Sequence, residues 1–179
     1  MLTSIIILVG EANSGKSATL RTLAEKYLGK PKRKRRNFFV YNGKGICIYP
    51  SSPQENSKIP FCNSEKVIES IDGRISECNL HNCTLLIMTF TLKGNRQKSE
   101  ALNESCIEDP IHNLSKRFTV HVVYLRKNGS RSKSPRVLSR LKRIDNLMQG
   151  LMEYEIESRK GQEERQADKL WAFVLKVDP

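Results

Sequence analysis

The chain has 179 residues and a formal net charge of +12, from 31 Lys and Arg against 19 Asp and Glu. A single domain of this length can bury an apolar core, and no stretch approaches the roughly 20 apolar residues of a membrane-spanning helix. The five cysteines lack a framework spacing, so we expect free thiols and a cytoplasmic protein. A metal site formed by Cys78, His81 and Cys83, with Cys62 as a fourth ligand, is the alternative, although its spacing is not that of a zinc ribbon.

The first predicted elements are a buried strand and an amphipathic helix joined by a glycine-rich loop. The strand, residues 4–9, is short, β-branched and apolar. Residues 10–17, called the glycine loop below, read Gly-Glu-Ala-Asn-Ser-Gly-Lys-Ser and fit the pattern G-x-x-x-x-G-K-[ST]. Apolar residues then recur at helical spacing, at Leu20, Leu23, Ala24, Tyr27 and Leu28. Strand, glycine loop and helix in this order predict a phosphate site.

The residue types of the glycine loop suit a triphosphate. Gly10 and Gly15 allow a close backbone curl that a Cβ would block, so main-chain N–H groups can surround phosphate oxygens. Lys16 would reach the β- and γ-phosphates as the catalytic cation, and the Ser17 hydroxyl would ligate Mg²⁺. The predicted nucleotide-binding residues are Gly10, Asn13, Ser14, Gly15, Lys16, Ser17 and Ala18.

With these residues, segment 4–28 resembles the P-loop NTPase superfamily. The resemblance implies a nucleoside triphosphate and Mg²⁺ as cofactors, bound where the first strand meets the first helix. The pattern alone would also fit an accidental glycine-rich turn with a surface lysine, but the strand before it and the helix after it favour the phosphate site.

A β-hairpin is predicted next. Runs 37–41 and 45–49 flank Asn42-Gly43-Lys44, and Asn-Gly favours a type I′ turn because both central residues need positive φ. The hairpin followed by Gln54-Glu55 resembles the second and third strands and the second switch of small GTPases.

Two departures from the small-GTPase pattern change the expected nucleotide. Pro50 and Pro53 stand where that family has the Asp and Gly of its Asp-x-x-Gly motif, so a metal-side carboxylate is missing there. The guanine-reading Asn-Lys-x-Asp is missing after the strand that ends at residue 125. We therefore expect ATP rather than GTP, with Glu55 as a candidate for positioning water or metal.

The remaining elements complete an α/β fold. We predict a helix over 64–78, a buried strand over 84–90, a helix over 105–117 disturbed by Pro110, and a strand over 118–125. Strands alternating with helices predict a mostly parallel five-stranded sheet with crossover helices on both faces and one antiparallel hairpin, which is the three-layer P-loop NTPase fold. A ligand would lie at the carboxyl ends of the strands.

Two basic zones, Lys30–Arg36 and Arg126–Arg143, carry much of the positive charge. Such zones attract polyanions, so nucleic acid is an expected partner; a simply solvated basic face is the alternative. In a nucleated cell, Pro31–Arg36 would also match a nuclear import signal. Arg126 and Arg131 lie in a stretch with the basic character of a kinase lid, where arginines would offset transition-state charge.

The sequence divides into a P-loop core, residues 1–134, and a helical extension, residues 135–179, packed on that core as one domain. Apolar residues trace a narrow seam on a long helix at Val137, Leu141, Ile144, Met148 and Leu151. This helix either docks on the domain or binds a protein partner or a second copy of the chain. Residues 170–175 are predicted as a buried helix.

Two classes of function fit these observations. The first is an ATPase or nucleotide-dependent switch that acts on nucleic acid or a protein partner. The second is a small P-loop kinase that transfers the γ-phosphoryl group to a nucleoside, a polynucleotide or another small acceptor. A degenerate domain that binds nucleotide with little turnover is a third reading, because the metal-side carboxylate is missing.

Overall fold

A computed structural model of the chain describes residues 1–10, 14–29, 37–53, 64–91, 105–125 and 162–177. In chain order the elements are β1 (Ser4–Gly10), α1 (Lys16–Tyr27), β2 (Phe38–Tyr41), β3 (Lys44–Tyr49), α2 (Ser64–Leu80), β4 (Cys83–Thr91), α3 (Ser105–Ser115), β5 (Thr119–Leu125) and α4 (Glu163–Val177). The strands and helices predicted within these ranges are confirmed.

The five strands form one sheet in the order β2-β3-β4-β1-β5. β1 lies between β4 and β5 and pairs with both in parallel, while β3 pairs in parallel with β4. β2 pairs antiparallel with β3 and forms the predicted hairpin. The mostly parallel sheet with one antiparallel pair confirms the predicted fold class.

The hairpin turn has the backbone that its sequence requires. Asn42 has a φ of 48° and Gly43 a φ of 78°, so both central residues are in the left-handed region. A type I′ turn needs this geometry to match the twist of the strands, and Asn-Gly adopts it at low cost.

Helices cover both faces of the sheet, as a parallel sheet requires. Side chains alternate along β1, so Ile5 and Ile7 contribute to one core and Ile6 and Leu8 to the other. The first core is closed by apolar residues of α2 and α3. The second is closed by α1 and α4.

The C-terminal helix α4 packs against α1. Trp171 is 5% exposed; its ring stacks on Tyr27 with centroids 5.1 Å apart and meets the Tyr41 ring edge-on at 4.8 Å. Nearby, the Lys26 ammonium and the Tyr27 hydroxyl each donate to Asp168 Oδ1 at 2.6 Å. These two donors hold the pKa of the Asp168 carboxyl below its usual range. The predicted helix over 170–175 is confirmed and is longer than the sequence indicated.

Other predictions meet the structure in part. α3 runs through Pro110 as one continuous helix, so the proline does not interrupt it. The seam of the long helix over 137–151 and the domain boundary at residue 134 lie outside the described residues. In the part of the chain that is described, no helix combines the length and the apolar character needed to cross a membrane.

Candidate functional site

The parallel pairing brings the carboxyl ends of β1, β3, β4 and β5 to one edge of the sheet. In the register of the ladders, Gly10 at the end of β1 is paired with Thr91 of β4 and with Leu125 of β5. α1 starts at the same edge, at Lys16. The strand ends predicted to flank the ligand therefore meet beside the glycine loop.

Gly10 lies where the backbone needs a residue without a side chain. A Cβ at this position would lie 2.6 Å from the Leu125 carbonyl oxygen and 2.7 Å from Ser14 Oγ. Both distances are far below ordinary van der Waals contact, so a larger residue would displace β5 or Ser14. This tight packing against Leu125 and Ser14 accounts for the first glycine of the pattern.

Gly15 forms the N-cap of α1 with a φ of 82°, in the left-handed region. A residue with a Cβ adopts this backbone only at a cost, which accounts for the second glycine of the pattern. Among the described residues, no side chain caps the N-terminus of α1. The first N–H groups of a helix have no intrahelical acceptor, so this end of α1 is suited to an anion.

Lys16 is 5% exposed although it carries an ammonium group. Its Nζ donates to the Gly10 carbonyl oxygen at 2.9 Å and to Ser14 Oγ at 3.2 Å. Ser14 is itself fully buried. The Lys16 ammonium is therefore buried at the start of α1, where the helix dipole adds positive potential.

Three oxygens from separate elements meet beside Lys16. The Ser17 hydroxyl, in the first turn of α1, donates to the Pro50 carbonyl oxygen at 2.6 Å. The hydroxyl of Thr89, a buried residue of β4, donates to the same carbonyl at 3.0 Å. Pro50 follows β3 directly, so β3 reaches α1 across the end of β4. Pro50 is the residue at which the sequence lacks the carboxylate of the Asp-x-x-Gly pattern, and its backbone carbonyl is the group that accepts from Ser17.

This arrangement fits a magnesium ion through Ser17. A hydroxyl that donates its hydrogen to Pro50 keeps lone pairs with which it can coordinate a cation. Oxygen is the donor that Mg²⁺ prefers, and phosphate oxygens and water usually supply most of its other ligands. Ser17 is thus the residue that would hold the ion, with Pro50 as the acceptor that orients the hydroxyl.

The described residues cover only part of the alternative metal site. Cys47, Cys78 and Cys83 are buried free thiols. A hydrogen bond with the Cys78 thiol, together with burial, raises the pKa of the Cys47 thiol. Among the described residues, no group of three or more histidine, cysteine or acidic side chains is placed to hold a metal ion. Cys62 lies outside them.

One residue of the site was missed in the sequence. Gln166 of α4 is 2% exposed, and its Oε1 accepts from Thr19 Oγ1 of α1 at 2.7 Å. The same Oε1 would lie 3.5 Å from a Cβ built on Gly15. A polar residue on the otherwise apolar face of α4 was the available signal, because Gln166 shares that face with Leu170 and Val174.

Several predicted site residues lie outside the described part of the chain. These are Asn13 of the glycine loop, the candidate Glu55, the arginines Arg126 and Arg131, and the two basic zones. The structure brings together Gly10, Ser14, Gly15, Lys16 and Ser17, with Ala18 half-buried in the first turn of α1.

No protein-family model and no curated protein matches the chain. Solved structures similar to the chain include the following two. A probable GTP-binding protein engB matches 96% of this chain and 99% of its own, with 14% identity and a TM-score of 0.46. A eukaryotic dimethylallyltransferase acting on tRNA matches 98% of this chain at 14% identity and a TM-score of 0.33, and this chain spans 57% of its length.

Proposed function

We propose that this chain binds a nucleoside triphosphate with Mg²⁺ at the glycine loop and acts as a small ATPase or ATP-dependent switch. The observation that carries the proposal is the buried ammonium of Lys16, held against the Gly10 carbonyl and the Ser14 hydroxyl. An ammonium group held beside the start of a helix can bind the oxygens of a phosphate group. The uncapped start of α1 beside it offers main-chain donors to the same anion.

Each residue has a role in this proposal. The N–H groups at the start of α1 bind phosphate oxygens, and Lys16 moves from its loop acceptors to the β- and γ-phosphates. Mg²⁺, when bound beside Ser17, would neutralise charge on those phosphates. Glu55 for positioning water, and Arg126 and Arg131 for offsetting charge, are proposed from the sequence alone. ATP is proposed over GTP because the guanine-reading pattern is missing.

The Pro50 carbonyl favours a second candidate, a nucleotide-binding domain with little turnover. A carbonyl is neutral, so it polarises the Ser17 hydroxyl less than a carboxylate would, and it gives the cation no full negative charge. Slow hydrolysis and a requirement for high Mg²⁺ concentration would follow. The kinase alternative requires an acceptor site, and the described residues give no specific support for one.

The proposal is tested by removing the ammonium. Lys16→Ala deletes a charged hydrogen bond to phosphate worth about 1.5–3 kcal/mol, which corresponds to an increase in the Kd for ATP of roughly 10- to 150-fold. Titration calorimetry with ATP and with GTP, each with Mg²⁺ and with a chelator, measures this change. Circular dichroism checks that the variant is folded.

Lys66→Ala is the matched control, because Lys66 is exposed on α2. Its Kd should equal that of the wild type. Failure of the folded wild-type protein to bind any Mg-nucleotide would refute the proposal. Hydrolysis of ATP without an acceptor, lost in Lys16→Ala, would support the ATPase; transfer of labelled γ-phosphate to a nucleoside or a 5′-hydroxyl end would support the kinase instead.

Nucleic acid is proposed as a partner on charge alone, through Lys30–Arg36 and Arg126–Arg143. If it binds there, log affinity for duplex falls with log salt concentration, with a slope of about −0.9 for each phosphate neutralised. A flat salt response would remove nucleic acid as a partner. A protein partner or a second copy, bound through the seam at residues 137–151, is proposed from the sequence pattern and is tested by light scattering.

A further inference from the structure

Gln166 is a buried polar residue on the apolar face of α4, where an apolar residue would be expected. It is 2% exposed and shares this face with Leu170, Trp171 and Val174. Burying an amide costs free energy unless hydrogen bonds replace those lost to water. A leucine at this position would pack without that cost. The hydrogen bonds of the Gln166 amide therefore indicate why a polar residue stands here.

Those contacts lead to the glycine loop. Gln166 Oε1 lies 2.7 Å from Thr19 Oγ1, and Thr19 Oγ1 lies 3.0 Å from the Gly15 carbonyl oxygen. The same carbonyl accepts from the Thr19 backbone N–H at 2.8 Å. Gln166 therefore reaches the N-cap residue of α1 through one fully buried hydroxyl.

The Thr19 hydroxyl has one hydrogen and two neighbouring acceptors. If it donates to Gln166, the Gly15 carbonyl keeps the backbone N–H; if it donates to Gly15, the amide turns so that its N–H₂ donates to Thr19. In the first arrangement the connection from Gln166 to Gly15 runs through the hydroxyl and then the backbone N–H of Thr19; in the second it runs through the hydroxyl alone. Since Gly15 has a left-handed backbone, the direction of the following N–H groups depends on how firmly this peptide is held.

We propose that Gln166 is a positioning residue of the nucleotide site, acting through Thr19 to fix Gly15 and the first N–H groups of α1. The inference rests on the proposed nucleotide binding and deepens it, because it makes the C-terminal helix part of the site. Thermodynamic reciprocity adds a consequence: a nucleotide that binds the fixed loop more tightly also strengthens the docking of α4.

The experiment compares variants on the two sides of the link. Gln166→Met keeps the length and packing of the side chain and removes the amide. Thr19→Val removes the hydroxyl of this residue, whereas Thr19→Ser keeps it. Asp168→Ala is the matched control, because it weakens the same α1–α4 contact at Lys26 and Tyr27, towards the other end of α1.

We expect Gln166→Met and Thr19→Val each to raise the Kd for Mg-ATP by about three- to tenfold, the effect of one hydrogen bond. The Kd of the double variant should be no higher than that of the single variant with the larger Kd, because both substitutions break the same link. Thr19→Ser and Asp168→Ala should stay within about twofold of the wild type, although Asp168→Ala lowers the melting temperature. Hydrogen exchange at the amides of residues 15–18 should rise in Gln166→Met.

Binding by both Gln166→Met and Thr19→Val within twofold of the wild type would overturn the inference while the proposed function stands. An equal loss in Asp168→Ala would also overturn it, since the effect would then come from general loosening of α4. If Gln166→Met does not fold, the comparison of Thr19→Val with Thr19→Ser tests the inference, because only Thr19→Ser keeps the hydroxyl. A wild-type protein that binds no nucleotide refutes the proposed function itself.

Discussion

Replacing Gly10 by alanine tests the close approach on which the candidate site depends. The new Cβ would lie 2.6 Å from the Leu125 carbonyl oxygen, which belongs to a strand held in the β1–β5 ladder. It would also lie 2.7 Å from Ser14 Oγ, which accepts from the Lys16 ammonium. The substitution therefore both strains the sheet and displaces Ser14, a hydrogen-bond partner of the Lys16 ammonium.

The expected loss of stability is that of an overpacked core, about 1–3 kcal/mol. At about 2–4 °C per kcal/mol for a domain of this size, the melting temperature should fall by about 2–12 °C. Nucleotide affinity should fall as well, because Ser14 and Lys16 must move. The measurements are thermal unfolding by circular dichroism and calorimetric titration with Mg-ATP well below the melting temperature.

Gly45→Ala is a control with an equal clash at the opposite edge of the sheet. Its Cβ would lie 2.7 Å from the Asn82 carbonyl oxygen and 2.8 Å from the Cα of Cys83. It should lose similar stability and keep the nucleotide affinity of the wild type. An unchanged melting temperature in Gly10→Ala, or an equal loss of affinity in folded Gly45→Ala, would refute the reasoning.

Two further predictions concern the contacts of α4. Burial lowers the pKa of His121 on β5, whose ring lies edge-on to Phe173 at 5.7 Å, and no described residue hydrogen-bonds either ring nitrogen. The unfolded chain therefore binds more protons than the folded one, and stability falls as pH falls through about 6.5. Melting temperatures at pH 7.5 and 5.5 should show a smaller difference in His121→Leu than in the wild type; an equal difference would contradict the assignment. Trp171→Ala should cost about 3–5 kcal/mol in urea unfolding, because it deletes a buried ring stacked on Tyr27. A cost below about 1 kcal/mol would show that α4 is not docked by this ring.

The sequence predicted the elements whose patterns are local. The glycine loop with its flanking strand and helix follows from the spacing of residues 10–28, and the hairpin from Asn42-Gly43. Each depends on backbone dihedrals that these residue types decide by themselves. The placement of Gly10 and Lys16 at one edge of the sheet followed from the parallel topology.

The order of the strands and the partners of Ser17 did not follow from the sequence. Nothing local to β3 or β4 specifies that β4 lies between β3 and β1. The Pro50 carbonyl is a backbone group, so no residue type announces its contact with Ser17. Gln166 was missed because its hydrogen bond with Thr19 depends on the packing of α4 against α1, and these segments lie far apart in the chain.

The strand order also has a consequence for how the chain folds during its synthesis. β1 is translated before its neighbours, yet Ser4 pairs with Leu85 on one side and with Thr119 on the other. β1 therefore has no partner in the sheet until β4 has left the ribosome, and its second partner comes only with β5; such pairings between distant residues form slowly. The edge of the sheet at which Gly10 lies is therefore complete only after β5 has been made.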